Sequence, residues 1–500
     1  MARYFPDFPA FEAAAKNAQL IPVYRQMMAD HHTPVTAFEL LAETSDHAFL
    51  LESVVGGAKI ARYSFIATGP TVVYQIASGK ARIDDFRTGL SREFSSDDPL
   101  GDLQQLLPKL SYHRDPQLPA FTGGLVGFAG YDTARYYEAE KLSAAPQDDR
   151  HLPDLLFGLY GELVMFEHVE KPIKIVANAD VNAHAGLAEA YADAKRRIDA
   201  IVQSLQRSRC PELGEIDWRG HLSLSYDSNF TQQQYEQVVL AGKEYIKAGD
   251  IFQFVPSQRL RVRSDASPFD VYRALRVINP SPFMFYLKMP GCTLIGASPE
   301  ILCRVQDREI TTRPLAGTRK RGGTEAEDVA LEKELLADPK ERAEHIMLVD
   351  LHRNDVGRVA KVGTVEISDV MTVERYSHVM HITTNVTGTL EDQYTALDAL
   401  RVSLPVGTVS GAPKIRAMQI IDELEPTRRG PYGGAVGYLD FAGNMDTCIA
   451  LRTIVWKDGA FDVQAGAGIV ADSVPASEFE ESMNKAKAML KAVEVAHRGF

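Results

Sequence analysis

Cysteine is scarce in this chain: four residues in 500, at positions 210, 292, 303 and 448, with no Cys-x-x-Cys pair. That argues against a disulfide framework or a cysteine zinc site and fits a reducing compartment, so a cytoplasmic location is expected. Long apolar runs are missing. None approaches the ~18 residues that a membrane helix needs, and the first sixteen residues lack a basic stretch leading into an apolar core, so no secretory signal is expected. Cations are in deficit: 54 Lys and Arg against 67 Asp and Glu give a net charge of −13. A surface of that sign disfavours nucleic acid and anionic membranes as partners. An anionic small substrate stays compatible with it, because a metal ion and arginines can reverse the field inside one cleft. Internal repeats and low-complexity tracts are also absent, which removes solenoids and arrays.

What is present is ordinary globular material, 45% hydrophobic and 24% charged, in a chain long enough for several domains. Residues 155–176 read as strands with a break near Glu170-Lys171-Pro172. A helix follows, with Leu187, Tyr191, Ala194, Ile198, Ile201 and Leu205 on one face. Residues 206–220, polar and carrying Pro211 and Gly214, read as a linker. Two regions are therefore expected, 1–215 and 225–500. A helix over 232–247 opens the second. Near the end, a strand over 447–456 and one over 463–470 flank Asp458-Gly459, a two-residue hairpin signal. Short returns of that kind mean antiparallel pairing, so the expected class is α+β built on antiparallel sheets.

Two pairs of carboxylates carry the strongest chemical signal. A helix begins at Pro339, and Glu341 and Glu344 share one of its faces; Glu478 and Glu481 repeat the spacing near the start of a helix over 477–495. Four such charges, brought together, repel unless a hard divalent cation such as Mg²⁺ neutralises them. The same residues also suit helix N-termini, and Asp338…Glu341 and Ser477…Glu480 both match capping boxes. Residues 405–414, Pro-Val-Gly-Thr-Val-Ser-Gly-Ala-Pro-Lys, form a Gly/Thr/Ser loop entering a helix. It is either an anion cradle using Thr408 and Lys414 or a plain tight turn, and its spacing is not that of a Walker loop. His378 and His381 are three apart and suit metal binding, acid/base work or simple packing. Arg452 interrupts an apolar strand pattern, so it needs a partner, either a structural carboxylate or that of a ligand. Glu300, after Ser298-Pro299, is open in the same way.

The order of these pieces resembles the chorismate-utilising enzyme family over nearly all of residues 230–500. The matching stretches are Gly249-Asp250-Ile251-Phe252-Gln253, Ala297-Ser298-Pro299-Glu300, Arg313-Pro314-Leu315-Ala316-Gly317-Thr318, Glu341…Glu344 with Leu351-His352-Arg353-Asn354-Asp355, His378…His381, the 407–414 loop, Arg452, Ala465-Gly466-Ala467-Gly468, and Glu478…Glu481 with Asn484-Lys485-Ala486. The resemblance implies two large antiparallel sheets packed as a sandwich, helices outside and the active site between them. Isochorismate and salicylate synthases of the family carry a water-activating lysine where this chain has Gln253, and aminodeoxychorismate synthases a nucleophilic lysine where it has Ala316. Without either, the resemblance implies that ammonia comes from outside, as in the anthranilate-forming branch.

For that branch the resemblance implies Mg²⁺ held by Glu344 and Glu481, with Glu341 and Glu478 ordering its water. Thr408 and the main chain at Gly466 and Gly468 hold the ring carboxylate, with Lys485 among the substrate contacts. Tyr432 and Arg452 hold the enolpyruvyl carboxylate. Ammonia attacks C2 of chorismate, Glu300 protonates the departing C4 hydroxyl, and His381 serves the elimination of pyruvate that yields anthranilate, the first step of tryptophan biosynthesis. A separate glutamine amidotransferase subunit would supply the ammonia, in a heterotetramer. A tryptophan-feedback segment is implied by Leu50-Leu51-Glu52-Ser53 and by Asn279-Pro280-Ser281-Pro282-Phe283-Met284, with Cys448 completing the pocket. Phe283 stands where relatives often carry tyrosine.

Overall fold

The structure, a computed structural model, describes residues 2–53, 62–142, 144–207, 214–217, 220, 222–375 and 379–500. Cys210 and His378 lie outside the described residues. Two large sheets dominate, one of 11 strands and one of 12, and their ladders are antiparallel.

Both sheets draw strands from both regions of the chain. In the first, Ala48–Glu52 lies beside Phe283–Met289, with Glu52 opposite Met284. In the second, Gly124–Ala129 lies beside Ala435–Asp440. Gly127 faces Gly437 at that second seam, and each is also crowded by its other neighbouring strand: a Cβ would fall 2.0 Å from the Leu156 carbonyl oxygen at Gly127 and 2.0 Å from that of Asp446 at Gly437. Only glycine admits so close an approach.

The layers follow from which faces are apolar. Phe49, Phe285 and Leu294 of the first sheet meet Phe128, Val436 and Cys448 of the second in a buried core between them. On the outer face of the first sheet, Leu50, Ile175 and Val463 pack on Ala194, Ile198, Leu275 and Leu490 of the flanking helices. On the outer face of the second, Tyr74, Leu125 and Leu302 pack on Leu103, Val356 and Leu400. This is the α+β sandwich with external helices that the sequence leads one to expect. Among the described residues no helix is long and apolar enough to cross a membrane.

Several local expectations change in detail. The single strand expected over 447–456 is two, Met445–Ile449 and Thr453–Lys457, parted at Arg452, whose φ is +48°. The turn after it is as expected: Asp458 and Gly459 have φ of +48° and +73°, and Lys457 faces Ala460, the signature of a type I′ hairpin. The last helix spans Pro475–Arg498 and is preceded by Val474 without a side-chain cap, so Ser477 and Glu480 are interior residues and no capping box. Asp338 does cap the helix Pro339–Gly357, accepting from the Lys340 and Glu341 amides.

Candidate active site

A cavity of about 410 Å³ opens where the two helices bearing the paired carboxylates approach the strand ends of both sheets. It is lined by Glu300, Glu341, Glu344, His381, Thr408, Tyr432, Arg452, Gly466, Gly468, Glu478, Glu481 and Lys485, all twelve of the substrate, metal and catalytic candidates. Gln253 and Ala316, the two positions that distinguish branches of the resembled family, line it too.

The cavity is chemically polar end to end. At one end are the four carboxylates. Burial raises the pKa of Glu344, a hydrogen bond from Gln253 lowers it, and the charges of Glu341 and Glu481 raise it further. Glu478 is raised mainly by burial as well, again with Glu481 contributing. Three of the four have a local side-chain partner. Arg319 Nη1 meets Glu341 at 3.1 Å, Gln253 Nε2 donates to Glu344 Oε1 at 3.0 Å, and Lys485 Nζ lies 2.7 Å from Glu481. Lys485 also donates to the Gly466 carbonyl at 3.0 Å, so its ammonium serves the protein before any substrate. Among the described residues no three His, Cys, Asp or Glu are gathered closely enough to hold a metal ion by themselves.

Arg452 lines the same cavity. The residue is half-buried; desolvation lowers the pKa of its guanidinium, while Tyr432, Glu300 and Glu481 act in the opposite sense. No carboxylate lies within salt-bridge distance of it among the described residues. A partly desolvated cation without a counter-ion is favoured by a ligand that supplies one. Beside it, burial pushes the Glu300 carboxyl up to about 8, with the Leu315 amide, Arg452 and Thr408 pulling the other way. Glu300 is therefore a neutral acid at pH 7. Its Oε1 and the Thr408 hydroxyl are both buried and near each other, with no hydrogen bond of normal geometry to either among the described residues.

His381 sits on the strand Val379–Thr389. Its Nδ1 lies 2.9 Å from the Gly317 carbonyl and 3.1 Å from the Thr318 hydroxyl. A carbonyl only accepts, so Nδ1 carries the hydrogen and Nε2 keeps a lone pair. Burial lowers the pKa of this ring, which favours the neutral base.

Other expectations are redirected. Lys414 is drawn out of the loop cradle into a pair with Asp355 at 2.8 Å, both side chains nearly buried. The feedback candidates do not share one face. Glu52 is held by Tyr272 at 2.5 Å and by both arms of Arg276 at 3.0 and 3.2 Å, on the helix side of the first sheet, where Met284 also packs. Phe283 and Cys448 belong to the core between the sheets. Ser53 directly follows the strand Ala48–Glu52, and its hydroxyl is buried without a hydrogen-bond partner among the described residues. Pro282 directly precedes the strand Phe283–Met289. Contributors that the sequence did not suggest are Arg319, Lys340 and Gln464; only the acidic neighbours of Lys340 gave a hint.

The model of the chorismate binding enzyme family matches residues 46–491. The chain belongs to that family. Over 99% of both chains it is 48% identical to anthranilate synthase component 1 of Acetivibrio thermocellus. It is 46% identical to that of Aquifex aeolicus (strain VF5) over 96% of each. Among solved structures it is similar to anthranilate synthase component I from Streptococcus pneumoniae TIGR4, with a TM-score of 0.76 and 38% identity over 87% of this chain and 94% of that one. These full-length similarities group this member of the chorismate-binding family with the anthranilate synthase component 1 enzymes of tryptophan biosynthesis. The menaquinone-specific isochorismate synthase from Escherichia coli shares the fold, with a TM-score of 0.68 at 18% identity over 97% of this chain and 99% of that one.

Proposed function

We propose that this chain binds chorismate, aminates it at C2 with ammonia and eliminates pyruvate to give anthranilate, with Mg²⁺ as cofactor. The observation that carries the reading is the composition of one cavity of about 410 Å³: a neutral carboxyl, Glu300, and a half-buried guanidinium, Arg452, without a salt-bridge partner among the described residues, line it together with the carboxylates of two helices. Chorismate has complementary chemistry, with two carboxylates and a hydroxyl that must leave.

The four glutamates fit a hard cation that takes carboxylates from both helices and completes its shell with water and substrate oxygens. Glu344 and Glu481 would hold it, with Glu341 and Glu478 ordering its water. When bound, Mg²⁺ draws electron density from the ring carboxylate as charge develops there. The remaining work belongs to the protein. Arg452 and Tyr432 fix the enolpyruvyl carboxylate, the arginine through a forked pair of bonds. Thr408 and the main chain at Gly466 and Gly468 hold the ring carboxylate. Ammonia bonds to C2, the ring double bonds shift, and the C4–O bond breaks as Glu300 gives its proton to the leaving oxygen, releasing water. His381 Nε2 then takes the C2 proton as the C3–O bond breaks, so the ring becomes aromatic and pyruvate departs.

The ammonia comes from a separate glutaminase subunit in this reading. Cys292, Cys303 and Cys448 are buried and burial raises each thiol's pKa, the first two to about 12, so none is a thiolate nucleophile at pH 7. Feedback by tryptophan is proposed at the Ser53 side of the seam between the two regions, where an orphaned hydroxyl awaits a donor or acceptor. Incubating the purified chain with chorismate and Mg²⁺, with ammonium or with glutamine as nitrogen source, tests the assignment. Anthranilate from ammonium but not from glutamine is expected; anthranilate from glutamine, or none from either, contradicts it.

A further inference from the structure

Beneath the cavity lies a chain of buried hydrogen bonds whose direction is fixed from one end. Arg429, itself buried, donates Nε to Glu425 Oε2 at 3.0 Å and Nη2 to Glu425 Oε1 at 2.5 Å. The Ser257 amide and hydroxyl both reach the same Oε1, at 2.7 and 2.9 Å. A carboxylate bonded to an arginine only accepts, so the Ser257 hydroxyl spends its one hydrogen on Glu425. The contact between Ser257 Oγ and Gln464, at 2.8 Å, must then be donated by the Gln464 amide nitrogen. No flipped orientation of that amide is compatible with the relay. Its carbonyl oxygen, Oε1, is therefore held away from Ser257, and it is buried with no partner among the described residues in a side chain that lines the cavity.

We infer that Gln464 is a substrate-contacting residue whose carbonyl oxygen accepts a hydrogen bond from the N–H or O–H donor of the reacting pair, and that Arg429, Glu425 and Ser257 are positioning residues that fix its orientation. The inference rests on the proposed reaction. The substrate carboxylates are acceptors and cannot satisfy Gln464. Two groups can: an N–H of ammonia, which leaves the nitrogen lone pair free to attack, and the C4 hydroxyl of chorismate. A buried carbonyl left unbonded is disfavoured, so a bound donor gains more there than in water. The same arginine also donates to the Val409 and Val255 carbonyls, at 2.7 and 2.6 Å. Its relay thus ties the orientation of Gln464 to the two segments that flank Thr408 and Gln253. Gln253 has a similar orphaned oxygen, but its amide is oriented by the metal-site candidate Glu344. Gln464 is independent of the metal.

The test is steady-state kinetics of full-length wild type, Gln464→Met and Ser257→Ala at saturating Mg²⁺, varying ammonium and chorismate separately, with a thermal melt of each variant. Methionine keeps the length of the side chain and removes the acceptor. A wild type that makes no anthranilate overturns the proposed reaction itself. Given an active wild type, Gln464→Met is expected to lose about 3- to 30-fold in kcat/KM, the range of one hydrogen bond. If ammonia is the donor, the loss appears in KM for ammonium and leaves KM for chorismate within twofold; if the C4 hydroxyl is the donor, the loss appears with chorismate. Ser257→Ala, which frees the amide to turn, should show a smaller loss with the same substrate selectivity, and it carries the test alone if Gln464→Met does not fold. Unchanged kinetics in a folded variant, or equal losses toward both substrates that track a fall in melting temperature, overturn the inference.

Discussion

Glu300 and Arg452 face the same cavity from adjoining segments, stitched by backbone bonds from Ile449 to Glu300 at 3.0 Å and from Ala297 to Arg452 at 3.1 Å, and they do not form a salt bridge with each other. The carboxyl stays protonated and the guanidinium stays available. An ion pair there would cancel both the acid and the anion site, so their separation is a functional property of the strand break at Arg452, where φ is +48°.

The pH dependence of kcat follows from Glu300. Its raised pKa, about 8, means that the carboxyl is protonated below that value and anionic above it. A general acid works only in the protonated form, so kcat, at fixed free ammonia, should fall as pH rises through about 8. Glu300→Gln should lower kcat by about 10²- to 10⁴-fold and abolish that alkaline limb. An unchanged limb in the variant would assign it to another group.

Arg452→Lys keeps the charge but loses the fork. A charge-assisted bond is worth about 1.5–3 kcal/mol, so kcat/KM for chorismate should drop about 10- to 100-fold. Melting temperature should hardly change, because among the described residues the guanidinium has no salt bridge to lose and the substitution keeps its charge. A large loss of stability with little kinetic effect would make Arg452 structural.

Glu344→Gln and Glu481→Gln should each raise the Mg²⁺ concentration needed for half-maximal activity by about 10- to 100-fold, and titration calorimetry of the chain with Mg²⁺ should show the same weakening. Wild-type behaviour in both variants would remove the metal from this end of the cavity.

His381→Ala should impair elimination more than amination, since the lone pair on Nε2 is needed only when the C2 proton leaves. Aminodeoxyisochorismate should accumulate and be resolved by chromatography. Parallel loss of both steps with no intermediate would leave His381 a shaping residue.

Ser53→Phe should weaken inhibition by tryptophan about 10- to 100-fold with KM for chorismate nearly unchanged, because the substitution lies at the seam, far along the chain from the cavity residues. Glu52 is already bonded to Arg276 and Tyr272, so a ligand ammonium must compete with that pair. Inhibition of the variant as strong as that of the wild type would move the regulatory site elsewhere.

The carboxylate pairs and the hairpin at Asp458-Gly459 were legible in the sequence because their geometry is local: a helix puts i and i+3 on one face, and a two-residue turn has its own residue preference. The convergence of Glu341, Glu344, Glu478 and Glu481 on one cavity came through the family pattern, since no periodicity joins helices more than a hundred residues apart. What escaped was fixed by distant partners. Arg319 engages Glu341 from a neighbouring strand, Lys414 turns to Asp355, and the Gln464 amide is oriented by Ser257, more than two hundred residues away. Strand alternation also divides Glu52 and Met284 from Phe283 and Cys448, which a list of pocket residues conceals until the sheet is seen.

The most direct measurement is product formation by the purified chain with chorismate, Mg²⁺ and an ammonium salt near pH 8, followed by anthranilate fluorescence with chromatography of the mixture. The account predicts equimolar anthranilate and pyruvate, abolished by chelating the metal. Chorismate left intact, or converted to isochorismate by attack of water at C2 with loss of the C4 hydroxyl, would contradict it.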